Sequence, residues 1–266
     1  MSVSEMHFPE AERVVYRNNP LHEVICQLRF PTILRIANET PSDFQERVRS
    51  RLPEYAEELN ATTMERVPAQ IVEMLRASPL TKRHRFASSA SGLAVLLDAQ
   101  SLTVSTTSYA NWQEFSELVF ESIAALEDTY RPSKYGRIGL RYQNVIYASE
   151  EMHADASGHV NWAEYIRREL VGVINEPVWA HSSSEYHSQI RCELSSEGDG
   201  LFMQYGIGHE EGSESLAFIL DFDYYLQRES EPSDAKHVIE RLHGYSGPAF
   251  RWAITEELHR QLGPDA

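Results

Sequence analysis

The run HRFASSASGLAVLLDAQSLTVSTTSY, residues 84–109, decides the fold class. Leu102, Val104 and Thr106 alternate with Thr103, Ser105 and Thr107, the period that puts one side of a strand in a core and the other in water. Turn-forming residues interrupt the run near Ala90–Gly92 and near Asp98–Ser101, so short strands fold back on one another as antiparallel neighbours. The following run, NWQEFSELVFESIAALEDTY, residues 111–130, changes period. Trp112, Phe115, Leu118, Val119, Ile123 and Leu126 fall on one face at helical spacing, and Asn111 with Glu114 forms the start of a capping box. Hairpins with segregated helices imply an α+β fold, a mostly antiparallel sheet with helices packed on one face.

Upstream, HEVICQLRF (22–30) alternates as a strand, and PTILRIANE (31–39) reads as a connection. TPSDFQERVRSRL (40–52) carries helix-start signals, with Thr40 as N-cap, Pro41 at the first helical position and a stripe of Phe44, Val48 and Leu52. Pro53 ends that helix, and EYAEEL (54–59) reads as a further turn. Residues 60–79 are ambiguous. Downstream, RIGLRYQNVIY (137–147) is a strand, and NWAEYIRRELVGVI (161–174) is a helix in which Asn161 and Glu164 repeat the cap. HSQIRCELSSEGDGLFMQYGIG (187–208) is a hairpin around Glu197–Gly200, and SLAFILDFDYYLQ (215–227) is a strand. Residues 231–262 form a helix to about His243, a Gly/Pro break and a second helix.

Both halves therefore read strand, helix, strands, helix, and their opening strands share QLRF (27–30) and GLRY (139–142). An internal duplication with a period of roughly 110 residues follows, too long for a solenoid. It divides the chain into an extension (1–20), a first α+β half (21–134) and a second (135–266), packed as one continuous module.

Composition narrows the function classes. Forty acidic residues against 24 basic give a formal charge of −16, the wrong sign for neutralising phosphates, so direct nucleic-acid binding is not expected. TKRHR (81–85) is the best local exception. No apolar run approaches the roughly 18 residues of a membrane span, and the first residues are acidic where a signal peptide is basic, so the expected location is the cytoplasm. In that compartment the two cysteines, Cys26 and Cys192, are expected to be buried free thiols. The acidity serves solubility, and it also suits a surface that docks a basic partner or mimics nucleic acid.

NPLHEVICQLRFP (19–31), SLTVSTTSYANWQEF (101–115), RIGLRYQNVIY, LDFDYY (220–225) and LHGYSGPAFRWAIT (242–255) stand in an order that resembles a sporadically distributed, functionally uncharacterised family of bacterial and archaeal proteins of similar length. The resemblance covers nearly the whole chain. Its scattered occurrence is that of accessory genes such as toxin–antitoxin or anti-phage defence loci. It implies no catalytic assignment.

Among the residues themselves, no Walker loop, G-x-S-x-G, H-E-x-x-H or placed G-x-G-x-x-G occurs, and no cofactor is expected. Asp221 and Asp223, two apart on a strand, would hold their carboxylates about 7 Å apart on one face, a weak candidate for a divalent metal. Arg137, Arg141 and Gln143 share a face of the 137–147 strand. With Arg29 from the first half they make a candidate site for an anion or other ligand, through two-pronged guanidinium contacts. Pairing of those arginines with acids such as the two aspartates is the competing structural explanation. Asn144 falls on the apolar side and needs a hydrogen-bond partner. His153 with His159, and His181, Ser182–Ser184 and His187, match no familiar ligand or triad spacing. The leading expectation is a non-enzymatic interaction or regulatory protein, antitoxin-like or from a defence system, with a protein partner encoded nearby. The alternatives are an anion sensor on the arginine face and a metal-dependent enzyme centred on Asp221 and Asp223.

Overall fold

The computed structural model describes residues 8–12, 14–59, 82–148, 152, 160–176, 178–179, 183–209 and 215–265. Its strands are β1 (Val15–Tyr16), β2 (Leu21–Arg29), β3 (Glu54–Leu59), β4 (Lys82–Ser88), β5 (Leu93–Asp98), β6 (Ser101–Thr106), β7 (Arg137–Tyr147), β8 (Tyr186–Glu193), β9 (Asp199–His209), β10 (Leu216–Leu226) and β11 (Pro264–Asp265). Its helices are α1 (Leu34–Asn38), α2 (Ser42–Val48), α3 (Trp112–Tyr130), α4 (Arg168–Val171), α5 (Ala235–Ala253) and α6 (Glu256–Leu262). The fold is α+β with antiparallel strand pairing. The chain divides into two compact units, one of Glu23–Leu140 with Leu226–Ile239, the other of Met1–His22, Arg141–Tyr225 and Glu240–Ala266.

In the Glu23–Leu140 unit the strands run β3-β4-β5-β6-β2. Registers line up the alternating apolar residues into rows. Cys26 faces Val104, Val104 faces Val95, Val95 faces Phe86 and Phe86 faces Tyr55. A second row joins Leu28, Leu102, Leu97 and His84. Except for half-exposed Tyr55, these residues are buried. Each large side chain so buried contributes roughly 1.5–3 kcal/mol. Helix α3 packs on β6 and α2, burying Phe115, Leu118, Val119, Ile123 and Leu126. Asn111 caps it as its sequence predicts, accepting from the Glu114 amide.

Three local expectations for this unit change. Residues 34–38 are helical, not a plain connection, and α2 begins at Ser42 with no side-chain cap. Thr40 sits outside the helix, its carbonyl bonded to the Ser42 amide. EYAEEL is strand β3, not a helical turn. Its side chains decide this through tertiary contacts: Tyr55 packs 5.4 Å from the Phe86 ring and shares a hydrogen bond with His84, which pairing with β4 alone provides. Residues 60–79 and Thr81 lie outside the described residues.

In the other unit the strands run β10-β9-β8, and β1 pairs with β11. The expected 161–174 helix is reduced to a 3-10 turn at Trp162–Glu164 and the four-residue α4. The backbone at 165–167 is claimed instead by residues 253–255: Arg167 N–H donates to Ala253, Thr255 N–H to Tyr165, and Ile166 bridges Ile254. A helix cannot lend its amides to such a bridge, so it stops. Conversely, α5 runs through Gly244 and Pro248 to Ala253, and the break falls at Ile254. His243 is thus inside the helix, sharing a hydrogen bond with Tyr142. Thr255 caps α6 by accepting from Leu258. No helix among the described residues is long and apolar enough to cross a membrane.

Candidate functional site

Strand alternation brings the predicted polar residues to defined places. On β10 the even positions Phe218, Leu220, Phe222 and Tyr224 are buried in the core, so Asp221 and Asp223 share the opposite face with Ile219 and Tyr225. Arg141 meets Asp221 with two prongs: Nε donates to Oδ1 at 2.7 Å, and Nη2 donates to Oδ2. Asp221 is 5% exposed, so both of its oxygens are spent on this guanidinium away from bulk water. Asn144, buried on the other face, donates to the Leu220 carbonyl. Arg29 and Arg137 belong to the Glu23–Leu140 unit. Arg29 donates to Gln27, which donates in turn to Thr103. Arg137 folds its guanidinium over Gly139, where an added Cβ would lie 2.2 Å from Nη1. Gln143 is half-buried on the Arg141 side of β7. Among the described residues, no group of three or more His, Cys, Asp or Glu side chains could hold a metal ion.

The Asp221 face continues over β9 and β8. Gly206 and Gly208, two apart on β9, leave a groove of 540 Å³ lined also by His187, Gln204 and Ile219. His187 stands opposite Gly206, and its Nε2 lies 3.3 Å from the Gln204 amide nitrogen. Gly206 is required there, because a Cβ would sit 1.8 Å from the Tyr186 carbonyl oxygen. Further along, Arg191 stacks 4.5 Å over the Phe202 ring and donates to the Tyr225 hydroxyl. The Tyr225 ring covers Gly200, whose Cβ would approach it to 2.6 Å. These glycines were not singled out from sequence. Glycines recurring two apart inside an alternating strand were the available signal for a hole in its face.

Strand β8 is an edge strand. It ends the strand order, and its eight residues pair with β9 without a bulge. None of the eight is fully buried, and Ile190 is 45% exposed. No strand among the described residues pairs with its outer edge.

Other charged groups are paired. Asp199, at the start of β9, accepts both prongs of Arg241 at 2.7 and 2.8 Å and the Tyr245 hydroxyl at 3.0 Å. Burial pushes its carboxyl up, but the Arg241 hydrogen bonds and charge, with those of Tyr245 and Ser195, outweigh this and hold it below its ordinary value. The basic run of β4 is likewise answered by β3, Lys82 pairing with Glu57 and both Arg83 and Arg85 with Glu58. Its histidine, His84, is buried between the Tyr55 hydroxyl and the Ile36 carbonyl. Both cysteines are free; Cys26 is buried and Cys192 half-buried. Burial pushes the Cys26 thiol up to about 12 and raises that of Cys192 as well. His153, His159, His181 and Ser182 lie outside the described residues. Ser183 donates to the Trp179 carbonyl, and Ser184 lines the groove. No family model matches the chain, nor does any curated protein.

Proposed function

We propose that this is a non-enzymatic binding protein that takes an extended segment of a protein partner onto β8, as a component of a toxin–antitoxin or anti-phage defence system would. The observation that carries this reading is the unbroken edge of β8. An edge strand presents a row of unpaired N–H and C=O groups, and soluble proteins blunt such edges with proline, bulges or charged side chains, lysine above all. On β8 the charged ones, Arg191 and Glu193, stand at one end. Tyr186–Glu193 contains neither proline nor lysine, and its register has no bulge. Addition of a strand there would gain main-chain hydrogen bonds for affinity, while Ile190 and Arg191 supply side-chain selection. The net charge of −16 favours a basic partner.

The two alternatives meet a specific obstacle. An anion on the arginine face would have to displace Asp221 from Arg141, and a divalent ion at Asp221 would have to displace Arg141. Either exchange forfeits a two-pronged pair whose carboxylate is buried.

The test is affinity purification of the tagged protein from its native cells, in growth and under phage challenge. A stoichiometric partner is expected with the wild type. Recovery should fall roughly tenfold or more, about 1.4 kcal/mol, with Ile190→Lys or Gln189→Pro. Recovery of a lone chain under every condition, or undiminished partner with both edge variants, would overturn the reading.

A further inference from the structure

A second site lies in the same unit as β8 and is independent of it. The segment before β1 lines a cavity of 380 Å³ with residues from the α4 end of the unit and from α5 and α6. Small-molecule sites begin at about this size. Arg167 stands on the helical side together with the Arg251–Glu256 pair, and Glu10 and Glu12 on the N-terminal side.

Arg167 is held in an uncommon way. Its Nε donates to the Trp252 carbonyl, its guanidinium carbon lies 5.0 Å over the Trp252 ring, and its own amide is bonded to Ala253. The same indole also meets the Phe8 ring, 5.6 Å between centroids. The guanidinium plane is thereby fixed, while Nη1 and Nη2 carry no partner among the described residues. Arg251, by contrast, is paired with Glu256. His259 shares its Nδ1 with the Tyr16 hydroxyl at 2.9 Å, which leaves Nε2 for a ligand. Across the cavity, neither Glu10 nor Glu12 pairs with a cation among the described residues. Among the described residues, an immobilised cationic fork and carboxylates without a paired cation therefore line one small space without neutralising each other.

From this we infer that the cavity binds a small zwitterion of the free amino-acid class. Its carboxylate lies on the Nη1 and Nη2 fork of Arg167, and its ammonium group lies against Glu10 and Glu12. A lone carboxylate or phosphate satisfies the fork but is repelled by the glutamates, Glu256 included. A simple amine has the converse mismatch. Only a ligand with both charges answers both walls, and a fork already fixed by stacking loses little freedom on binding.

The experiment is calorimetric titration of the full-length protein with a panel of free L-amino acids, and with acetate, methylammonium and inorganic phosphate as single-charge probes. At least one amino acid is expected to bind roughly tenfold or more tightly than any single-charge probe. Arg167→Lys keeps the charge but loses the fork, and weakens that amino acid by roughly tenfold or more. Glu10→Gln with Glu12→Gln, at exposed positions that leave folding intact, removes the preference over acetate. Failure of every amino acid to bind the wild type would overturn the inference. So would acetate or phosphate binding as tightly as any amino acid, or unweakened amino-acid binding by the double glutamine variant. The outcome is separable from that of the β8 variants, which alter no residue of this cavity.

Discussion

Arg141 and Arg167 belong to one compact unit, and each has its guanidinium oriented by neighbours, but they end in opposite states. Arg141 spends Nε and one terminal nitrogen on Asp221, so its charge and its directional donors are cancelled at the same place. Arg167 spends Nε on a neutral carbonyl and its face on an indole, so it is rigid while, among the described residues, its charge and its outer fork remain unpaired. Arg241 on Asp199 is the saturated extreme, with Tyr245 filling in around the carboxylate. The difference teaches that an arginine on a polar face is a binding candidate only after its carboxylate partners have been counted. Orientation by neutral groups leaves a guanidinium usable; orientation by an acid closes it.

The sharpest way to break this ranking is to remove the acids. Asp199 has no exposed surface, and Asp199→Asn leaves Arg241 facing a neutral amide in a mostly buried setting. The expected loss is about 3–5 kcal/mol, read from urea denaturation, and a loss below about 1 kcal/mol would show the pair to be decorative. The same pair sets an acid limit. The folded carboxyl sits below its unfolded value near 3.9, so its stabilisation is complete above that value and disappears as pH falls through the folded one. Stability should therefore be insensitive to this group at neutral pH and fall below about pH 4, and Asp199→Asn should flatten that fall.

Asp221→Asn should cost less, about 1–3 kcal/mol, because the Arg141 side chain is 39% exposed and water can take over part of its solvation. Arg167→Lys should cost under about 1 kcal/mol, the scale of a stacked cation at a part-exposed site. If Arg167→Lys proved the more damaging of the two, Arg167 would be structural and the contrast with Arg141 would collapse. The smallest effect is chemical. Cys192 should react with a disulfide reagent in the native protein and Cys26 only on unfolding, so Cys192→Ser should remove the native reaction entirely. Labelling of Cys26 at the native rate would show that the β2 row opens.

How much of this was legible depends on which force decides each element. Residues 84–130 read correctly because local signals and packing agree there: the alternation of β6, the turns at Gly92 and Asp98, the Asn111 cap and the stripe of α3 all select one structure. EYAEEL and NWAEYIRRELVGVI did not, because partners distant in sequence claim their backbone and override their propensity. Tyr55 needs Phe86 and His84. Ile166 is drawn out of helix by Ile254. The second case matters for the expected duplication, since a helix at 161–174 was one of the four matching elements.

The candidate sites divide the same way. Alternation alone puts Asp221, Asp223, Arg141 and Gln143 on non-core faces, since side-chain direction follows the two-residue period of a strand. It cannot say that Arg141 closes on Asp221, because strand neighbours 80 residues apart are set by the sheet. Nor does any local pattern join Glu10 to Arg167 or Trp252. The chain alone determined the alternating strands from β2 and β4 to β10, the α3 helix, the acid excess and the absence of familiar catalytic motifs, all of which rest on local periodicity and counting, but not β1, β3 or β11. Tertiary structure alone decided which charges cancel and, among the described residues, which strands lie at an edge and which arginine keeps its fork, because those depend on distances between residues that the chain separates and folding brings together.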